Sequence, residues 1–197
     1  MRWFAMPKPA LNLLLAALAA CLLVGINEAG YRRSVAAMQQ MAQAQSAHTD
    51  LTTLLKIMLD AETGQRGFLL TGDPNYLAPY NAAVTAVNQT LQQLRELYAP
   101  DPGDLAEFDQ LAQDVSGTMS AMAVTVRLRK QGKDDGWKAV LLTDVGKEQM
   151  DATRGQIAKL VARSSQNMKL NQDRILQALQ LSRIGIALVA MIGLLAF

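Results

Sequence analysis

The chain has 197 residues, half of them hydrophobic but only 5% aromatic, and a formal net charge of +2. So small a charge, without a basic stripe interleaved with aromatics, argues against a nucleic-acid surface. Ala, Leu, Gln and Met dominate, all residues that lose little rotamer freedom in helices, and alternating Val/Ile/Thr runs are nearly absent, so an all-α protein is expected.

In chain order, residues 1–9 carry Arg2 and Lys8 and read as a short cytoplasmic segment. Residues 10–26, ALNLLLAALAACLLVGI, are apolar except for Asn12. They lie at the lower limit for a transmembrane helix, since about 20 residues cross a ~30 Å hydrocarbon core. Three readings compete: an uncleaved anchor, a cleaved signal peptide, and a lipoprotein signal, because LAAC (Leu18 to Cys21) fits the pattern that lipoprotein signal peptidase reads. The apolar run continues past the would-be cleavage point through Leu22, Leu23 and Val24, which favours the anchor. Cys21 is the only cysteine, so no internal disulfide can form.

Residues 27–182 are expected outside the cytoplasm, as four helices. Positive charge orients the chain weakly, since Arg2 and Lys8 precede the first span while Arg32 and Arg33 follow it. Long loops, however, translocate largely regardless of charge. The first helix continues out of the anchor from about Asn27, with Leu51, Leu54, Leu55, Met58 and Leu59 on one face, and breaks at TGDPN. Asp73 before Pro74 is a helix start, with Asp as the cap and Pro at the first helical position. The second helix buries Leu77, Val84, Val87, Leu91, Leu94 and Leu97, and APDPGD closes it. Asp104 and Glu107 read as a capping box opening the third helix, whose apolar face is Leu105, Phe108, Leu111, Val115, Met119 and Met122. KQGKDDG is the next breaker. The fourth helix starts before or after Trp137 and is clearest from Gly146. Its heptad-like seam is Met150, Ile157, Val161, Met168 and Ile175, interrupted by Asn171. No breaker separates it from residues 184–197, IGIALVAMIGLLAF, a second apolar run. Fourteen residues of helix span only about 21 Å, so this run reads as a membrane helix cut short in a fragment of a longer protein. The expected architecture is a long antiparallel four-helix bundle flanked by two transmembrane helices.

One stretch departs from plain helix text: LDAETGQRGFLLTGDPNYLAPY, Leu59 to Tyr80. Glycine costs about 1 kcal/mol relative to alanine inside a helix, yet Gly64 and Gly67 lie three apart beside Glu62, Thr63 and Arg66. The plainer reading is a helix end with a close backbone contact and an i,i+4 Glu62–Arg66 pair, worth ~0.2–0.5 kcal/mol when exposed. The sharper reading is a polar cluster that senses a ligand or a neighbouring subunit. The residues favour the plainer one.

DAETGQRGFLLTGDPNYLAPY resembles the signature of the third CHASE-type sensory domain family (cyclase/histidine-kinase-associated sensory extracellular). GKEQMDATRGQIAKL, Gly146 to Leu160, resembles the family's second characteristic stretch, through Gly146, Lys147, Met150, Asp151 and Arg154. The resemblance covers about Val35 to Asn171, with Phe68 where tyrosine is also common. It implies an extracytoplasmic helical sensor between two membrane helices, working as a homodimer in the bacterial cell membrane. The output would lie beyond the second span, most often a histidine kinase, otherwise a diguanylate or adenylate cyclase or a chemotaxis module. The family brings no agreed ligand. The alternative from a different class is a stand-alone, membrane-anchored structural bundle.

Catalytic chemistry is not expected within these residues. His48 is the only histidine, so one chain cannot build a two-His metal site, and His48 lacks the Glu and basic residue of a kinase phosphoacceptor motif. VGKEQM is no phosphate loop, with Leu141 where glycine is needed and Glu148 after the lysine. Asp134 and Asp135 read as solvated loop residues rather than a catalytic pair. No cofactor, metal or nucleic-acid partner is expected.

Overall fold

The computed structural model describes residues 8–195, with the side chains of residues 8–13, 15, 192, 194 and 195 left aside. The described chain is all-α. It runs α1 (Lys8–Thr71), a 3₁₀ turn (Pro74–Tyr76), α2 (Leu77–Tyr98), α3 (Pro102–Lys130), α4 (Asp134–Leu142) and α5 (Val145–Leu195). Residues 43–166 form one compact unit, and the two ends of the chain, up to 42 and from 167, form another. Helices α1 and α5 are each unbroken and contribute to both.

Four long helices share the core of the 43–166 unit. Leu51, Leu54 and Met58 on α1, Leu94 on α2, Leu111 and Val115 on α3 and Ile157 on α5 are wholly shielded from solvent. Burying a side chain of this size contributes ~1.5–3 kcal/mol. Tyr98 stacks on Phe108 with ring centroids 5.5 Å apart, and burial pushes the Tyr98 phenol above its ordinary pKa. The face of α2 runs Leu77, Tyr80, Ala83, Val87, Thr90, Leu94. Val84 lies one residue off that line, about 100° around the helix, and is exposed, as is Leu59 on α1. On α5 the buried line is Met150, Ile157, Ser164, Asn171 and Ala178, spaced by seven. Asn171 therefore lies on the seam rather than interrupting it, and Val161, Met168 and Ile175 are half-buried flanks.

Asp73 does cap the segment it opens, accepting from the Asn75 amide at 2.9 Å, but that segment is the 3₁₀ turn, and α2 follows at Leu77. The expected Asp104–Glu107 capping box does not form. Asp101 caps α3 instead, its carboxylate accepting from the amides of Gly103 and Asp104 at 2.8 and 3.0 Å. Pro102 explains the earlier start, since its ring sets a helical φ and it has no N–H to leave unpaired. Glu107 is taken by Lys159 at 2.6 Å and Arg163 at 2.8 Å, and Asp104 by Arg163 at 2.7 Å. The Lys159 hydrogen bond holds the Glu107 carboxyl below its usual pKa against the opposing effect of burial.

The expected fourth helix is two. Trp137 belongs to the nine-residue α4, and the chain turns at Thr143–Asp144 before α5 begins. Asp144 takes φ 55°, a left-handed conformation uncommon outside glycine, which ends one helix without a Gly or Pro to announce it.

In the unit built from the chain ends, α1 and α5 run antiparallel: Ile26 lies against Gly185, Gly30 against Ser182, and Gln40 accepts from Arg174 at 3.4 Å. Ala37 and Ala178 are buried, whereas Leu14, Leu18, Leu22, Val24, Ile184, Leu188 and Met191 are exposed. Among the described residues one helix, α5, contains a window long and apolar enough to cross a membrane, within Val145–Met191. Ala196 and Phe197 of the expected second span, and residues 1–7 of the expected N-terminal segment, lie outside the described residues.

Replacing Asp101 by Ala should cost about 1 kcal/mol, a melting-temperature drop of ~2–4 °C for the full chain in detergent. Asp104→Ala removes only a partly exposed ion pair and should cost less. Thermal unfolding of the two variants side by side checks the order.

Candidate functional site

The last turns of α1 and the first turns of α5 meet at the end of the 43–166 unit remote from residues 43 and 166. Glu62 on α1 is only 8% exposed there. A buried carboxylate is tolerated only when charged or hydrogen-bonding partners replace water. Its Oε1 accepts from Arg66 Nη2 at 2.8 Å, one turn along the same helix. Its Oε2 accepts from Arg154 Nη2 on α5. The other terminal nitrogen of Arg154 reaches Asp151 Oδ1 at 3.1 Å. A guanidinium can make both contacts at once because its donors are fixed in a planar fork, which a lysine lacks. The Glu62–Arg66 pair is thus one side of a three-residue bridge that joins two helices far apart in sequence.

Gly64 and Gly67 hold a close approach, to the 3₁₀ turn and the start of α2. A Cβ on Gly64 would lie 2.7 Å from the Tyr76 carbonyl oxygen and 2.9 Å from Pro79 Cγ. A Cβ on Gly67 would press into the ring of Tyr76, a half-exposed side chain. Gly72, at φ 74°, then ends α1 in the left-handed region.

Beneath the bridge runs a line of buried polar contacts that apolar periodicity did not reveal. Gln65 Nε2 donates to Thr125 Oγ1 at 2.6 Å, and the Thr118 and Thr153 hydroxyls are 3.2 Å apart. The available signal was the seven-residue spacing of Thr118 and Thr125 on the core face of α3. A half-enclosed cavity of about 70 Å³ opens beside these groups. Glu62, Gln65 and Arg66 line it from α1, and Gly146, Lys147 and Met150 line it from α5.

The structure therefore brings together Glu62, Arg66, Asp151 and Arg154 in one network, and Met150 in the core below it. Gly64 and Gly67 sit at the adjoining turn, while Thr63 is exposed and makes none of these contacts. Asp134 and Asp135 are solvent-accessible as expected, the Asp134 side chain being half exposed, but Asp134 is helical rather than part of a loop. It opens α4, pairs with Arg129 and accepts from Trp137 Nε1 at 3.0 Å. The indole hydrogen bond, then Arg129, holds the Asp134 carboxyl below its usual range. The Arg129 guanidinium lies 5.5 Å from the Trp137 ring centroid, a cation–π contact that fastens α4 to α3. His48 is half-buried, with Nδ1 3.3 Å from the Ser165 hydroxyl. Among the described residues no group of three His, Cys, Asp or Glu side chains is placed to hold a metal ion.

A family model for the CHASE3 domain matches residues 37–174. The crystal structure of a histidine kinase sensor domain from Rhodopseudomonas palustris is similar over 64% of this chain and 98% of its own, with 24% identity and a TM-score of 0.57. At that identity the likeness is one of fold. No curated protein matches the chain.

The two glycines should respond differently to alanine. At Gly64 the new methyl meets backbone, which cannot swing aside, so Gly64→Ala should lower the melting temperature by several degrees. At Gly67 it meets the half-exposed ring of a side chain that can change rotamer. In a Tyr76→Ala background Gly67→Ala should become neutral or stabilising, by up to ~1 kcal/mol of helix propensity, whereas Gly64→Ala should not be rescued. Thermal unfolding of the two glycine variants, of Tyr76→Ala and of the two double variants measures this.

Proposed function

The chain belongs to the CHASE3 domain family of sensory modules over residues 37–174, and from that premise we propose that it is the extracytoplasmic input module of a transmembrane receptor. The observation that carries the reading is the Glu62–Arg154 bridge. It closes α1 on α5 near the cavity that both signature stretches line, and α1 and α5 are the helices that continue into the apolar ends of the chain. A stimulus at this end would alter the packing of α5 against α1, and a continuous helix would carry the change onward. Small shifts propagate this way where a bundle has two discrete packings.

In this reading residues 10–26 and 184–197 are the two membrane spans, and 27–182 lie outside the cytoplasm of a bacterial cell. Exposed Leu14, Leu18 and Leu22 on α1 and Ile184, Leu188 and Met191 on α5 support the spans, because so much apolar surface is out of place in water. Residues 27–182 form a four-helix sensor, α4 being a short addition to it. The receptor works as a homodimer, and its output, most often a histidine kinase in such proteins, lies beyond residue 197. A diguanylate or adenylate cyclase or a chemotaxis module would use the same input. The input module itself needs no catalytic residue.

Alkaline phosphatase fused after residue 100 should be active, and a cytoplasmic reporter at the same site silent. The reverse pattern would overturn the topology. With residues 1–197 joined to a histidine-kinase output and a transcriptional reporter, Glu62→Gln or Arg154→Met should fix output at one level. Output indifferent to both would favour a stand-alone structural bundle.

A further inference from the structure

We propose that the cavity between α1, α3, α4 and α5 binds a small carboxylate, and that this is the stimulus; the second clause rests on the sensory reading above. Size narrows the ligand first. About 70 Å³ holds several waters or a molecule of a few heavy atoms, well short of the ~300–1,000 Å³ of sites for drug-sized ligands. Sugars and nucleotides are too large.

Charge gives its sign. The ionised side chains lining the cavity are Glu62, Arg66 and Lys147, one more positive than negative. Both oxygens of Glu62 are already taken by Arg66 and Arg154, so the acid is neutralised in place. Lys147, by contrast, has no ion-pair partner among the described residues, and Arg66 is more than half exposed. The first turn of α5 adds donors. No side chain among the described residues accepts from the amides of Gly146 or Lys147, and the opening N–H groups of a helix lack partners within it. An anion at this mouth would meet the Lys147 ammonium, the outer edge of Arg66 and these amides.

The remaining wall decides between an inorganic and an organic anion. Met122 of α3, Val140 and Leu141 of α4 and Met150 of α5 give the cavity an apolar side. Phosphate or sulfate would leave that side unmatched, whereas a short-chain carboxylate presents a charged end to Lys147 and a hydrocarbon end to the methionines. The Arg129–Asp134–Trp137 cluster fastens α4 to α3, and Val140 and Leu141 lie shortly before the junction at Asp144 where α4 gives way to α5, so a ligand touching them also bears on that junction.

The test uses the purified full chain in detergent, melted in sodium propionate, sodium phosphate or sodium chloride at matched ionic strength. Saturating propionate should raise the melting temperature by ~2–4 °C over chloride. Lys147→Met should abolish the rise while melting close to wild type in chloride, since Lys147 is exposed and forms no ion pair among the described residues; Lys147→Arg should restore it. No rise in wild type, or a rise retained in Lys147→Met, would overturn the site. A rise in phosphate alone would overturn the carboxylate assignment. The kinase-reporter fusion separates this from the sensory reading. Propionate-dependent melting with unchanged reporter output would support the site and count against its being the stimulus. A chain that propionate does not stabilise, whose fused output nevertheless changes with Glu62→Gln or Arg154→Met, would leave the sensory reading standing and remove the ligand.

Discussion

The arrangement depends on one buried carboxylate. Glu62 sits on the core side of α1, in a position that the surrounding spacing would give to an apolar residue, and its side chain retains about 10% of its exposure. Alone it would be costly, because an ionised group out of water needs compensation on the order of several kcal/mol. Two guanidiniums supply it, one from the same helix and one from α5, some 90 residues later in the chain. Arg66 is local and would hold Glu62 in any helix. Arg154 is the partner that makes the interaction a constraint on tertiary structure, because satisfying it fixes the register of α5 against α1.

The neighbouring features serve that register. Gly64 and Gly67 let the 3₁₀ turn press onto α1, so that α2 returns immediately alongside it. Threonines 118 and 153 pair across α3 and α5 one step deeper, and Gln65 ties α1 to α3 through Thr125. These polar contacts in an otherwise apolar core discriminate among alternative packings more than leucines would, since a slipped register leaves donors and acceptors unpaired. Such contacts favour one register of α1, α3 and α5 over its neighbours.

Much of this was legible in the sequence where periodicity or turn chemistry was strong. The all-α class, the break after Thr71 and the core positions Leu51, Leu54, Met58, Phe108, Leu111 and Val115 follow from apolar spacing, glycine and proline. Where the reading failed, a longer-range or competing local interaction decided. Pro102 with Asp101 displaced the Asp104–Glu107 cap, and Glu107 then found Lys159 and Arg163 on another helix. Val84 looked like core because it is apolar, but Ala83 and Thr90 complete the actual face. The break at Asp144 carries no glycine or proline, so only its unusual φ reveals it. At the site, Glu62 and Arg66 were visible as an i,i+4 pair, and Arg154 as part of a second motif. That the two motifs close on each other could not be read from either, since helical spacing describes one helix at a time.

If Glu62 sets the register of the two helices, it is energetically coupled to Arg154 across α1 and α5. A double-mutant cycle of Glu62→Gln and Arg154→Met, followed by thermal or denaturant unfolding of the full chain, tests it directly. A coupling of ~1–3 kcal/mol is expected, each single change being damaging and the second adding little once the first is made. Additive effects, agreeing to within ~0.5 kcal/mol, would contradict it, because two groups that do not feel each other cannot set the register of the helices that carry them.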